Sequence, residues 1–205
     1  SPRSVILVSG IAQDQEFRVH DSFGPGFEFD IDEDDKSRFV ELQHIYRGDR
    51  LNVASGVGQA RSDRSEGFDF PAFAISTVTP SNVRHTNLYV YSRLRPLRTA
   101  TLTLGVSGDF FRHSADPSKE VRTFNPKFGV AWTPVPSTTI RAAAFRTVTR
   151  TLATSQTIEP TQVAGFNQFF DDPSATRAWV WGVALDQDLG RQQAYELAEA
   201  VSCCR

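Results

Sequence analysis

Methionine is absent from all 205 residues, position 1 included, and cysteine occurs only as the adjacent pair Cys203 and Cys204 at the C-terminus. With neither a starting methionine nor a basic-then-apolar leader, the chain is expected to be an excerpt of a longer protein. Neighbouring cysteines rarely bond to each other, so no disulfide framework and no thiol chemistry are expected. No stretch approaches the roughly 18 consecutive apolar residues of a membrane-crossing helix, which excludes a helical membrane protein. A membrane barrel is not excluded, because its strands are short and only half apolar. Neither sign of charge dominates: 22 Lys and Arg stand against 24 Asp and Glu, a formal charge of -2. Whole-chain charge therefore gives no support to a nucleic-acid partner.

Catalytic signatures are missing as well. There is no Gly-x-Ser-x-Gly, no His-Glu-x-x-His and no phosphate-cradling glycine loop. Paired carboxylates such as Asp171-Asp172 fall where nothing orients them as acid and base. His20, His44, His85 and His113 share no ligand spacing. Neither an enzyme, a cofactor nor a metal is expected. The acidic run Asp30-Ile31-Asp32-Glu33-Asp34-Asp35 has the alternate carboxylates of a calcium loop but not its turn glycine, and is read as a solvated loop. Arg47-Gly48-Asp49 is read as a turn built on glycine.

What is present is alternation. In Thr99 to Phe111, Ala100, Leu102, Leu104, Val106 and Phe110 point one way, with Thr101, Thr103, Ser107 and Asp109 opposite. Asn125 to Thr133 sets Phe128, Val130 and Trp132 against Lys127, Gly129 and Thr133. Ala178 to Asp186 lines up Trp179, Trp181, Val183 and Leu185. Further strands are expected at Ser4 to Ala12, Arg38 to Tyr46, Leu51 to Ser62, His85 to Leu94 and Thr138 to Arg150. On His85 to Leu94 the facing is open, since Leu88 and Val90 compete with Tyr89 and Tyr91. The total is about eight strands of roughly 9 to 13 residues, enough to cross a tilted bilayer.

The connections alternate between short (47–50, 95–98, 134–137) and long (13–37, 63–84, 112–124, 151–177). An up-and-down meander then has all its tight turns at one end, which is the outer-membrane barrel pattern. Tyr46 and Trp132 near the short turns, with Phe110, Phe111 and Trp179 near the long loops, would form its two aromatic girdles. The expected fold class is all-β, an antiparallel meander forming a partial transmembrane β-barrel over residues 1–190. Residues 191–205 lose the alternation and are expected to be a divergent tail, helical or disordered. Glu41, Gln43, Asp109, Lys127 and Arg141 are the candidate lumen-facing polar residues. Arg38, Arg61, Arg93, Arg146 and Arg150 would join them as wall bracing or an anion path. Simple alternation, however, puts Arg146 on the lipid side unless Phe145 faces outward or a bulge intervenes.

The segments NLYVYSRLRPLRTATLTLGVSGDFF and FNPKFGVAWTPVPSTTIRAAAFRT, followed by IEPTQVAGF, resemble the C-terminal barrel of TonB-dependent outer-membrane receptors. The resemblance covers roughly residues 37–188. It departs at RTVTRTL, where such receptors carry Gly-Phe-Arg-x-Pro, and it includes no plug, energy-coupling box or terminal aromatic. It implies a bacterial outer-membrane location and a transport or porin-like role. The partners it implies are the lipid bilayer with lipopolysaccharide, a solute, and an energy-coupling or periplasmic partner reached through upstream parts. Two other readings stand beside it: an export barrel behind a helical-repeat periplasmic region, and a soluble β-sandwich binding module.

Overall fold

The structure, a computed structural model, describes residues 3–114, 120–148, 157–168, 176–189 and 194–204. Nine long strands lie in one antiparallel sheet in sequence order: β1 (Ser4–Ser22), β2 (Glu28–Arg47), β3 (Leu51–Phe70), β4 (Ile75–Leu97), β5 (Ala100–His113), β6 (Val121–Val135), β7 (Thr138–Val148), β10 (Arg177–Asp188) and β11 (Ala194–Cys204). Between β7 and β10, a two-stranded hairpin is formed by β8 (Gln162–Val163) and β9 (Phe166–Asn167). The all-β meander expected from the alternation is the fold found, with eight strands through Asp188. A sandwich is ruled out, because the described strands supply no second large sheet to pack on the first. β1 and β11 are its two edges, and the sheet does not close on itself.

One face of the sheet is buried and the other exposed, and the polarity is the reverse of a soluble core. Buried inner-face positions include Glu41, Gln43, Asn87, Asp109, Asn125 and Lys127, whereas Leu88, Val90, Phe128, Trp132, Trp181 and Val183 stand exposed on the outer face. The facing of β4 is thereby settled: Tyr89 and Tyr91 point inward. Phe110 is on the outer face, but Phe111 is buried inside with Val83 and Val121, so it leaves the expected girdle. The cause is strand parity, which puts consecutive residues on opposite faces.

Two of the expected long loops are strands. The sheet continues through residues 13–37 and 63–84, with tight reversals at 23–27 and at the 3-10 turn Pro71–Phe73. Alternation fails to reveal these extensions because both of their faces are polar, yet the register of β1 with β2 runs unbroken from Ser4↔Tyr46 to Ser22↔Glu28. The acidic run therefore lies along β2 and not around an ion: Asp32 faces Arg18 at 3.4 Å and Glu33 faces Arg64 at 2.7 Å. Phenylalanines tie the tips together. Phe23 stacks on Phe29 at 5.1 Å, Phe70 meets Phe73 edge-on at 4.7 Å, and Phe23 and Phe70 bridge the two hairpins at 6.4 Å. Ala194–Cys204, where composition favours helix, pairs along β10 as β11, tertiary pairing overriding propensity.

Near the first tip, Asp30 accepts a hydrogen bond from the His20 ring at 2.7 Å, and this contact, with the attraction of the carboxylate charge, raises the His20 pKa above the ordinary histidine value. The sign follows from linkage: the pair supports the folded hairpin at pH below the unperturbed histidine pKa, and the support fades as pH rises through the raised value. In Asp30→Asn, the His20 midpoint followed by NMR should fall back towards about 6.5. A second outcome checks the hairpins themselves: amides of 30–37, on a strand paired on both sides, should exchange with solvent far more slowly than those of 23–27.

Candidate functional site

The inner face is polar because strand parity delivers it so, and one segment folds onto it. Residues 157–168 turn back from the long-loop end and place one carboxylate, Glu159, the glutamine Gln168 and a small hairpin against β2, β4, β6 and β7. Glu41 on β2 receives three donors: the Tyr89 hydroxyl at 2.9 Å, the Thr157 hydroxyl at 2.9 Å and the Ile158 backbone N–H at 2.9 Å. Gln43 donates to the Tyr89 hydroxyl at 3.0 Å and to the Ile158 carbonyl. Glu159 in turn accepts from Asn87 at 3.0 Å and from the Tyr91 hydroxyl at 2.6 Å. Gln168 donates to Tyr91 at 2.8 Å and to the Pro160 carbonyl, while its own carbonyl accepts the Thr147 hydroxyl at 2.6 Å. Glu41, Glu159 and Gln168 are all at most 2% exposed. Buried charge needs such donors, because an unpaired carboxylate away from water is costly.

Glycines make the close approach available. A Cβ on Gly56 would lie 2.4 Å from the Tyr89 ring and one on Gly105 2.7 Å from the Tyr91 ring, so each tyrosine lies flat over its cross-strand glycine. Gly129 and Gly182 clear space for the β8–β9 hairpin, whose Val163 and Phe166 pack with Phe145, Ala143 and Val180. The turn of that hairpin uses left-handed backbone at Ala164 and Gly165.

All five residues expected to face the lumen project from the inner face, but they fall into separate groups. Glu41 and Gln43 belong to the loop anchor. Lys127 is 2% exposed, donates to the Arg146 carbonyl at 3.2 Å and stands 5.9 Å from the Tyr91 ring centre. Asp109 pairs with His85 at 2.9 Å and accepts from Asn125 at 2.7 Å. Arg141 makes a bidentate pair with Asp186 at 2.7 and 2.8 Å and lies over the Phe166 ring. Of the other arginines, Arg93 shares the inner face, Arg38, Arg61 and Arg146 occupy the outer one, and Arg150 lies outside the described residues, as do Asp171 and Asp172.

Between the folded loop and the short-turn ends of β2 to β4 is a cavity of about 260 Å³, bordered by Arg47, Asn52, Tyr91, Arg93, Pro160 and Gln162. Tyr89, Tyr91, Asn87, His85, Glu159 and Gln168 were not singled out from the sequence. Settling the parity of β4 would have added the first four; Glu159 and Gln168 reach the site through a fold-back that no local pattern records.

No protein-family model and no curated protein matches the sequence. Among solved structures, the chain is similar to one described as the structure of the FpvAI–pyocin S2 complex, with a TM-score of 0.66 and 10% identity over 96% of this chain. The match takes in 29% of that chain, so this chain spans less than a third of its structural neighbour. That neighbour is a TonB-dependent receptor, and the present chain has a TonB-receptor-like β fold.

Removing the central acceptor tests the anchor. Glu41→Ala leaves the Tyr89, Thr157 and Ile158 donors without their partner, and should destabilise the protein by about 2 kcal/mol or more. It should also expose residues 157–168 to protease while the sheet keeps its circular dichroism. An unchanged cleavage pattern would show that the loop is held by other contacts.

Proposed function

We propose that this chain is a wall section of a bacterial outer-membrane β-barrel transporter of TonB-dependent-receptor type, with the inner face passing or binding a solute in its lumen. The reversed polarity carries the reading. Exposed Leu88, Phe128 and Trp181 suit lipid tails, while Glu41, Asp109 and Lys127 are sheltered on the opposite face. In a bilayer every backbone polar group must be paired within the protein, and the antiparallel ladder supplies that pairing along most of each interior strand. Long strands with short turns at one end support it further.

In this reading the segment 157–168 narrows the lumen, and the cavity beside it is a solute contact point bordered by two arginines, Arg47 and Arg93. The described strands β2–β7 and β10 are each at least 11 residues long, enough to cross a bilayer when tilted. With both edges of the sheet free, the 205-residue chain by itself is not a finished pore.

In cells making the parent protein, it should fractionate with the outer membrane. The purified chain should need detergent to stay monodisperse and should give no discrete conductance steps in a planar bilayer. A chain that remains monodisperse in plain buffer would sink the membrane reading, whereas clean conductance steps would overturn only the open-edge account.

A further inference from the structure

On each of β2 to β7 and β10, the outer-face residues can be followed from the short turns towards the long loops. The first Lys, Arg, Asp or Glu met on each of these seven strands is an arginine: Arg38, Arg61, Arg84, Arg112, Arg122, Arg146 and Arg177. Below it on every strand lie apolar or uncharged residues, such as Val40 and Leu42 on β2 or Phe124 and Phe128 on β6. The first four form a single row across the sheet, because the register pairs Arg38 with Arg61, Arg61 with Arg84, and Arg84 with Arg112. On β6 and β7, Arg122 and Arg146 are displaced towards the short turns. Strands tilted in a barrel require such displacement if the arginines are to stay at one height.

Four guanidiniums on adjacent strands, about 4.8 Å apart laterally, repel one another. The protein does little to offset this. Arg112 has Glu120 at 3.8 Å, but among the described residues Arg38, Arg61 and Arg84 have no carboxylate within ion-pair distance. The nearest outer-face acid above the row, Asp63, is taken by the Asn82 amide. Beyond the belt the sign reverses, with twelve Asp and Glu against three Lys and Arg in residues 13–37 and 62–83. A narrow cationic stripe between an apolar band and acidic hairpins is matched by anions that sit at one depth.

We propose that this belt binds lipid headgroups carrying more than one phosphate, in the leaflet on the long-loop side. The inference rests on the membrane reading and adds the lipid partner to it. Arginine suits the task because its planar fork engages phosphate oxygens two at a time, and the belt contains no lysine. Several phosphates on one headgroup match several guanidiniums on neighbouring strands, and lipid tails continue from such a headgroup onto the apolar band below. The acidic hairpins above keep the same anions from spreading upward.

The test uses the protein reconstituted in phosphatidylcholine vesicles containing a trace of fluorescent diphosphoryl lipid A, with its dephosphorylated counterpart as control. Co-localisation of the labelled lipid with the protein, read by energy transfer from its tryptophans, should require the phosphates and weaken with salt. Arg61→Gln with Arg84→Gln, both exposed positions, should weaken it about tenfold. Arg50→Gln with Arg98→Gln, exposed at the short-turn ends and outside the cavity lining, should leave it unchanged. Equal enrichment of the two lipids, or equal loss in both double variants, would overturn the proposal. Failure of the wild-type protein to insert into either vesicle would instead overturn the membrane reading on which it rests.

Discussion

An unbroken antiparallel register is the constraint on which everything else in this molecule depends. From Ser4↔Tyr46 through Trp181↔Ala144, each strand takes its facing from the one before it, and irregularities are confined to the short-turn ends at Leu94/Leu97 and Trp132/Val135. A slip of one residue anywhere would exchange the two faces of every later strand. Glu41, Asp109 and Lys127 would then stand outside, and Leu88, Phe128 and Trp181 would crowd inward. An apolar outer face and a packed polar inner face leave no tolerance for that exchange, so the register is held by both faces at once.

The inner face shows how a polar surface can be packed as closely as a core. Tyrosines lie over cross-strand glycines, and their hydroxyls reach carboxylates contributed by a different part of the chain. The small residue on one strand and the large ring on the next are a single packing unit. The chain Gln43 to Tyr89 to Glu41, closed by Thr157 and Ile158, satisfies each member with a partner of the right kind. Such networks are stable when complete and costly when broken. The segment 157–168 is thus fixed by hydrogen bonds at one end and by Phe145, Val163 and Val180 at the other.

Much of this was legible in the sequence wherever one face was apolar. Leu102, Leu104 and Phe110 announced the outer face of β5, and Trp179 to Leu185 that of β10, so Asp109 and Lys127 could be assigned inward by parity. The hairpin extensions were not legible, because polar residues on both faces erase the period-2 signal while backbone pairing continues. Phe111 was misplaced for a related reason: as a neighbour of Phe110 it had to face the other way. Glu159 stood in a quoted segment, IEPTQVAGF, but its burial depends on Asn87 and Tyr91, some seventy residues earlier. The arginine row was hidden entirely, since it exists only across strands, and a net charge of -2 conceals a stripe of one sign beside hairpins of the other.

Arg146 joins these threads. Its strand runs without a shift against β10 at this position and pairs regularly with β6 up to Phe145, which is fully buried on the inner face, while Arg146 pairs across to Trp179 on the outer one. The charge is therefore accommodated without a bulge. Half-buried beside Trp179, the side chain can lay its aliphatic stem along apolar surface and carry its guanidinium to the edge of that surface. Its carbonyl meanwhile takes the Lys127 ammonium from within, so one residue joins the two faces. What looks on one strand like a charge set in lipid is, across seven strands, the β7 member of a belt marking the edge of the apolar band.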